Sequence, residues 1–228
     1  MKKVGLMSFV ISLILLFVLT GCQKMESADI KTKLNAELEY VEDLIFKISN
    51  KYAKVEYFEE DKFKWEEVKD DIEKINSSWG TLVLDLTEVN VQNQDIIDFS
   101  NTLNNLLITV SNEDDVEMID RLNQLYEKVI IFKEAYSENK NQIKKNKIKS
   151  EVLSIFDLAN KDDYDSAKKK ATEVVETYKG YMNDISYAEE NAYNLNKIYI
   201  LLEEYSNAVQ TQNYDLIRMK YIVTVESL

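Results

Sequence analysis

From residue 30 onward the apolar positions recur with the period of a helix, not the alternation of a strand. Ile30, Leu34, Leu38, Val41, Ile45, Ile48 and Tyr52 come at steps of three and four and predict a first amphipathic helix. Trp65, Val68, Ile72, Ile75, Trp79, Leu82, Leu86 and Val89 keep an unbroken stripe for 25 residues. A helix of that length is about 37 Å long. Gly80, beside Trp79, is expected to mark close helix packing or a kink. A third helix follows through Ile96, Phe99, Leu103, Leu106 and Val110, and a fourth through Val116, Ile119, Leu122, Tyr126, Val129 and Tyr136. A fifth is expected near Ile148 to Ala159 and a sixth from Asp165 to about Tyr181. A seventh runs through Ile185, Ala188, Ala192, Leu195, Tyr199, Leu202 and Val209, and a short eighth begins at Asp215.

Three turns share a pattern. The stretches 111–117, 159–165 and 211–215 each end an apolar helix with Asn and Asp residues and start another at Val116, Tyr164 or Tyr214. Asn and Asp cap an incoming helix, and the apolar residue staples it to its neighbour. The second turn resembles the Asp-Tyr-x-x-Ala turn of tetratricopeptide repeats. Its spacing of 48 and 50 residues exceeds the 34 of that family, so the turns are read as independent hairpins. Proline is absent and only four glycines occur, which leaves few residues to build tight β-turns. The expected class is all-α, an antiparallel bundle of long amphipathic helices over residues 30–228. A polar, lysine-rich stretch at 137–149 is the candidate boundary between two packed helical subdomains.

The first 22 residues carry a different pattern. Lys2 and Lys3 precede an apolar run from Val4 to Leu19, and small residues then lead to the lone cysteine of the chain. That is the layout of a cleavable export signal. Its sixteen residues would span about 24 Å as a helix, short of the ~30 Å hydrocarbon core. Leu19-Thr20-Gly21-Cys22 resembles the lipobox of bacterial lipoproteins. The resemblance implies a signal peptide over 1–21, a diacylglyceryl anchor on Cys22 and a place on the outer face of the cell membrane. Two acyl chains hold a protein far more firmly than one. Residues 22–29 would then be a tether reaching at most about 28 Å.

The anchor reading changes the charge as well. Removal of residues 1–21 takes away Lys2 and Lys3, so the formal net charge moves from −13 to −15. Such a surface repels nucleic acid, and no nucleic-acid partner is expected. The helix from Trp65 to Trp79, followed by Asp95-Ile96-Ile97-Asp98-Phe99 and the Leu103, Leu106 spacing, is similar to small uncharacterised helical lipoproteins of Gram-positive bacteria. That likeness covers roughly residues 60–130 and implies no activity.

Candidate chemistry is sparse. Histidine is absent and Cys22 is committed to lipid, which removes Ser/His/Asp and Cys/His nucleophiles and imidazole- or thiolate-held metals. Helical iron-uptake lipoproteins of the imelysin type use a His-x-x-Glu motif that this chain lacks. No cofactor, no metal site and no enzyme activity are expected. The carboxylate clusters at 59–61, 113–115 and 162–165 suit a hard cation by donor type. The glycine and terminal glutamate of an EF-hand loop are missing, and helix capping accounts for them better. Tyr181, Tyr187, Tyr193, Tyr199 and Tyr205 recur every six residues and so spread over three helix faces. Tyr199 is placed on the seam, with Tyr187, Tyr193 and Tyr205 flanking it as candidates to line a partner or ligand groove. Lys144 and Lys145 centre a basic patch that also holds Lys140, Lys147 and Lys149, suited to an anionic wall polymer or an acidic protein. Two functions fit: a non-catalytic binding or assembly domain on a membrane-anchored lipoprotein, or a sensor or carrier of a small ligand or hard cation. An apolar, carboxylate-free interior favours the first, and a concave site where Asp/Glu and Tyr converge favours the second. Oligomeric state is left open.

Overall fold

The structure, a computed structural model, describes residues 27–55, 63–89, 91–185 and 192–228. Among these it contains eight helices and no strand: α1 (Ser27–Val55), α2 (Trp65–Glu88), α3 (Asn93–Ser111), α4 (Asp115–Tyr136), α5 (Lys140–Asn160), α6 (Tyr164–Asp184), α7 (Ala192–Thr211) and α8 (Tyr214–Val225). None of them is long and apolar enough to cross a membrane.

Each helix packs on the next, and two further contacts close rings of four. The pair α1/α4 closes the first ring and α5/α8 the second. The rings lie side by side through α4/α5 and α1/α8, so α1, α4, α5 and α8 form a third, central ring. One continuous apolar core runs through all three, from Leu34 and Leu38 to Ile217 and Tyr221. The polar stretch read as a boundary does lie where one ring passes to the other. Only residues 137–139 are non-helical there, because Asn139 caps α5 by accepting from Gln142 N and the lysines that follow are good helix formers.

The stripes read from the sequence are mostly buried; Val116, expected to staple the start of its helix, is exposed instead, and Ile30 and Tyr52 are half-buried. Trp79 shows how a stripe is buried: its indole Nε1 donates to Ser100 Oγ at 2.8 Å, and its ring stacks on Phe99 at 4.2 Å between centroids. Phe132 lies beyond at 5.9 Å, so one side chain ties α2, α3 and α4 together. Trp65, at the first position of α2, is only partly buried and packs edge-on against Phe63. Gly80 departs from expectation, since a Cβ there would meet nothing within 4 Å. It marks neither a close approach nor a break, and α2 runs through it.

The seventh helix differs more. Ile185 is the C-cap of α6, not the start of α7. In α7 the buried positions are Leu195, Ile198, Leu202, Tyr205, Ala208 and Val209. Of the two stripes open to this helix, the neighbouring helices pack on the one through Ile198, which carries Tyr205 inward and leaves Tyr199 at the edge. Tyr199 sits half-buried and donates to Glu203 Oε1 at 2.5 Å.

The three similar turns have one backbone geometry. Glu113, Asp162 and Gln212 take φ values of 57°, 60° and 56°, the left-handed conformation in which a helix often ends. Asp114, Asp163 and Asn213 follow, and each caps the next helix by accepting from Glu117 N, Ser166 N and Leu216 N. In the first two, Asp114 N donates to Thr109 O and Asp163 N to Leu158 O, the long bond of a Schellman cap. All three turns lie at one end of the bundle, together with the end of α1. Tyr52 links that helix to Asp115 at 3.0 Å and to Asn160 at 2.9 Å, and Tyr214 also reaches Asn160.

Candidate functional site

The residues singled out from the sequence fall in different places. Leu19, Thr20, Gly21 and Cys22 lie outside the described residues, as does Tyr187. Tyr193 stands 72% exposed on α7. Tyr205 does not belong to any surface: it is fully buried, and its hydroxyl donates to Val152 O at 3.3 Å across the α5/α7 space. The stripe through Ile198 that displaced Tyr199 is what turns it inward. Lys144 is exposed and donates to Asp184 at 2.7 Å, and Lys145 is half-buried one residue on. The five lysines do not form one patch. Lys147 pairs with Glu134 at 2.5 Å on the surface, whereas Lys149 points inward to Glu42.

The interior is apolar but not free of carboxylates. Glu42 on α1 accepts from Lys133 Nζ of α4 at 2.6 Å, from Lys149 Nζ of α5 at 3.1 Å and from the Tyr126 hydroxyl at 3.2 Å. Burial pushes this carboxyl up, and the two ammonium groups more than offset that, so it titrates below the ordinary glutamate range. Asp71 on α2 is held by Lys47, Lys74 and Lys51 at 2.8, 2.9 and 3.2 Å. Burial again opposes ionisation, yet three hydrogen-bonded lysines bring its pKa down to about 2. These clusters satisfy charge rather than present it. Among the described residues no group of three Asp, Glu or Cys side chains is arranged to hold a metal ion.

Among the described residues, two of the concavities open to solvent. The first is an apolar groove of about 290 Å³ at the turn end, where the end of α1 meets the outer side of α8. Ala53 and Lys54 form one wall, and Met219, Ile222 and Val223 form the other, with Val223 48% exposed. The floor is fixed by Arg218, one of two arginines in the chain, which is 2% exposed. Its Nε donates to Ala53 O and its Nη2 to Tyr52 O, both at 3.1 Å. These carbonyls lie in the last turn of α1, so the guanidinium closes a helix end that would otherwise leave bare acceptors. On the same side, Ile200 of α7 is 55% exposed. It lies one turn before Glu204, and Val223 lies one turn after Lys220. The Lys220–Glu204 pair at 2.5 Å therefore sets the two apolar side chains at one level of the antiparallel helices.

The second concavity, about 380 Å³, lies at the opposite end, between the starts and ends of α1, α2 and α4. Lys31, Glu88, Tyr136, Ser137 and Glu138 line it. Tyr136 is buried, and its hydroxyl has no hydrogen-bond partner. Sequence reasoning found neither concavity. Arg218, an arginine where the chain otherwise uses lysine, was the one available signal for the groove.

No family model matches the chain, and no curated protein and no solved structure matches it.

Proposed function

We propose that the chain is a lipoprotein anchored through Cys22 on the outer face of the cell membrane, and that its helical domain is a non-catalytic binding or assembly module. The observation that carries the binding part is the open apolar groove at Ala53, Met219, Ile222 and Val223, a concave site where the other exposed apolar side chains, such as Leu84 and Ile108, stand singly. A concave, mostly apolar site with a few fixed polar groups is the usual form of a recognition site. Position supports the same reading. With a lipid on Cys22 the start of α1 would lie next to the membrane, and Ala53 is about 40 Å further along that helix. The groove then opens at the far end, where a partner can approach.

Cys22→Ala tests the anchor: the variant leaves the membrane fraction or accumulates unprocessed, and persistent lipid labelling overturns the assignment. A photo-crosslinking residue at position 223 in intact cells tests the groove. One saturable adduct, lost on Met219→Glu and absent when the probe sits at the exposed Lys169, is the expected result. Equal labelling from both positions overturns it.

A second reading, a carrier or sensor of a small cationic or zwitterionic ligand, draws support from the cleft where Glu88, Glu138 and Tyr136 converge. A melting-point rise with small amines or calcium that disappears in Glu138→Ala would favour it, because a ligand of the native state raises its stability.

A further inference from the structure

Among the described residues, one buried charge between the two rings is incompletely matched. Asp157 of α5 lies near the turn end of the α4/α5 seam with its side chain 6% exposed. Its Oδ2 accepts from Lys161 Nζ at 2.9 Å, and the same ammonium donates to Asp120 Oδ1 of α4 at 2.6 Å. One cation therefore serves two carboxylates. Asp157 Oδ1 is buried with no hydrogen-bond partner.

A second unpartnered acceptor lies one turn along α4 from Asp120. Asn123 of α4 is buried, and its Oδ1 also lacks a partner. Because α4 and α5 run antiparallel and Asp120 meets Lys161, one turn further along α4 and one turn back along α5 bring Asn123 and Asp157 to the same level. Two buried acceptors at one level, with no donor assigned to either, are short of a single hydrogen. An unpaired buried acceptor is destabilising, and more so when it is charged.

The other charged groups around the site do not supply it. On α4, Arg121 pairs with Glu117 and donates to Gln124, while its Nε, like Asn160 Nδ2 of α5, is a buried donor that bonds to neither Asp157 nor Asn123. The buried face of α6 carries no charged residue, and its half-buried Lys170 pairs with Glu151 at 2.8 Å, with Lys168 near the start of the helix. On α8 the one buried charge, Arg218, is spent on the carbonyls of Ala53 and Tyr52. Asp115, at the start of α4, accepts from Tyr52.

We propose that Asp157, Asn123, Asp120 and Lys161 form a proton-operated joint between the two rings, which tightens when Asp157 takes up a proton and shares it with Asn123, and loosens when that proton leaves. The proton comes from solvent and returns to it, and no other bond changes. The electrostatics agree with the geometry. Burial pushes the Asp157 carboxyl up, Lys161 opposes this incompletely, and Asp120 and Glu117 add to it, for a pKa of about 6. The joint thus works in the range of mild acidification, independently of whether the chain is anchored.

Carbon-detected NMR of the side-chain carboxyls in the full-length protein, combined with native-state amide exchange between pH 5 and 7.5, tests this. The Asp157 carboxyl is expected to titrate near pH 6. Exchange protection of amides in 118–123 and 155–160, corrected for intrinsic rates, falls about tenfold or more as pH rises, while amides around Glu42 and Lys133 do not change. Asp157→Asn removes the pH dependence. Asp120→Asn lowers the titration midpoint, since it takes away a like charge and leaves Lys161 to Asp157 alone. Titration of Asp157 below pH 4.5 overturns the proposal, because the amide of Asn123 would then be the donor. Survival of the pH-dependent protection in Asp157→Asn overturns it as well.

Discussion

Glu42 and Asp157 are buried carboxylates at two levels of the space between the rings, and they are shifted in opposite directions. Glu42 meets two lysines and a tyrosine hydroxyl and stays ionised more readily than a free glutamate. Asp157 shares one lysine with a second acid and holds its proton to about pH 6. Depth of burial does not order them. The Asp71 side chain is only 2% exposed and its pKa is still brought down to about 2, while that of Asp157, 6% exposed, is raised. What orders them is the number of cations at each carboxylate: Asp71 has two and shares a third with Glu67, Glu42 has two, and Asp157 has half of one. Burial raises the cost of any mismatch, and the local count of partners sets its sign.

The comparison breaks most visibly at Glu42. Glu42→Ala leaves Lys133, 5% exposed, and Lys149 without their counter-charge, and should cost about 3–5 kcal/mol, measured by urea unfolding at pH 7. A loss below about 1 kcal/mol would mean that the lysines turn out to solvent and the cluster is not a fixed joint. The opposite sign is expected at Asp157. A folded pKa of about 6 against an ordinary aspartate value of 3.8 means that the native state binds the proton more tightly than the unfolded chain. The stabilisation is present in full below about pH 4 and is lost as pH rises through 6. Asp157→Asn should therefore raise stability by about 2–3 kcal/mol at pH 7.5, with no gain at pH 4. Asp71 and Glu42, both lowered, work the other way, with stability present above pH 4 to 4.5 and lost below it. Thermal midpoints across the acid range should peak between pH 4 and 6. A peak above pH 7 would contradict the assignment of Asp157.

Much of this fold is written in the period of the chain. The stripe from Trp65 to Val89 left one face to bury, and α2 buries it. The three turns announced themselves through Asn and Asp at matched offsets, and Asp114, Asp163 and Asn213 cap the helices that follow, while the left-handed positions before them, Glu113, Asp162 and Gln212, share no residue type. Where the periodicity offered two answers, as between Ile198 and Tyr199, the packing of neighbouring helices decided, and Tyr205 went inward with the winning stripe. Lysines at 140–149 read as a basic patch at a subdomain boundary because their charges were seen without their partners. Glu42 lies about a hundred residues from Lys149, and no local pattern pairs them. Asp157 was invisible for the same reason. An aspartate among Phe156, Leu158 and Ala159 looks like a polar break in a helix face until Asp120 and Asn123 stand opposite it. The groove beside Arg218 arises only when α8 closes over the end of α1.

The smallest effect tests whether the turn, rather than the proton, sets the α5 end of the joint. Lys161 is the C-cap of α5, and its place is fixed by Asp162 at φ 60° and by the bond from Asp163 N to Leu158 O at 2.9 Å. A non-glycine residue in this conformation costs about 1–2 kcal/mol, and glycine removes that cost while adding about 0.5–1 kcal/mol of unfolded-state freedom. Asp162→Gly should thus raise stability by about 1 kcal/mol or less. The Asp162 side chain is exposed and forms no part of the Asp157–Lys161–Asp120 cluster, so the gain should be equal at pH 5 and pH 7.5. That equality separates it from Asp157→Asn, whose effect grows with pH. Urea midpoints at the two pH values decide the matter. A gain for Asp162→Gly that appears only at pH 7.5 would show that the acid of the turn, not the buried carboxyl, is the group that titrates.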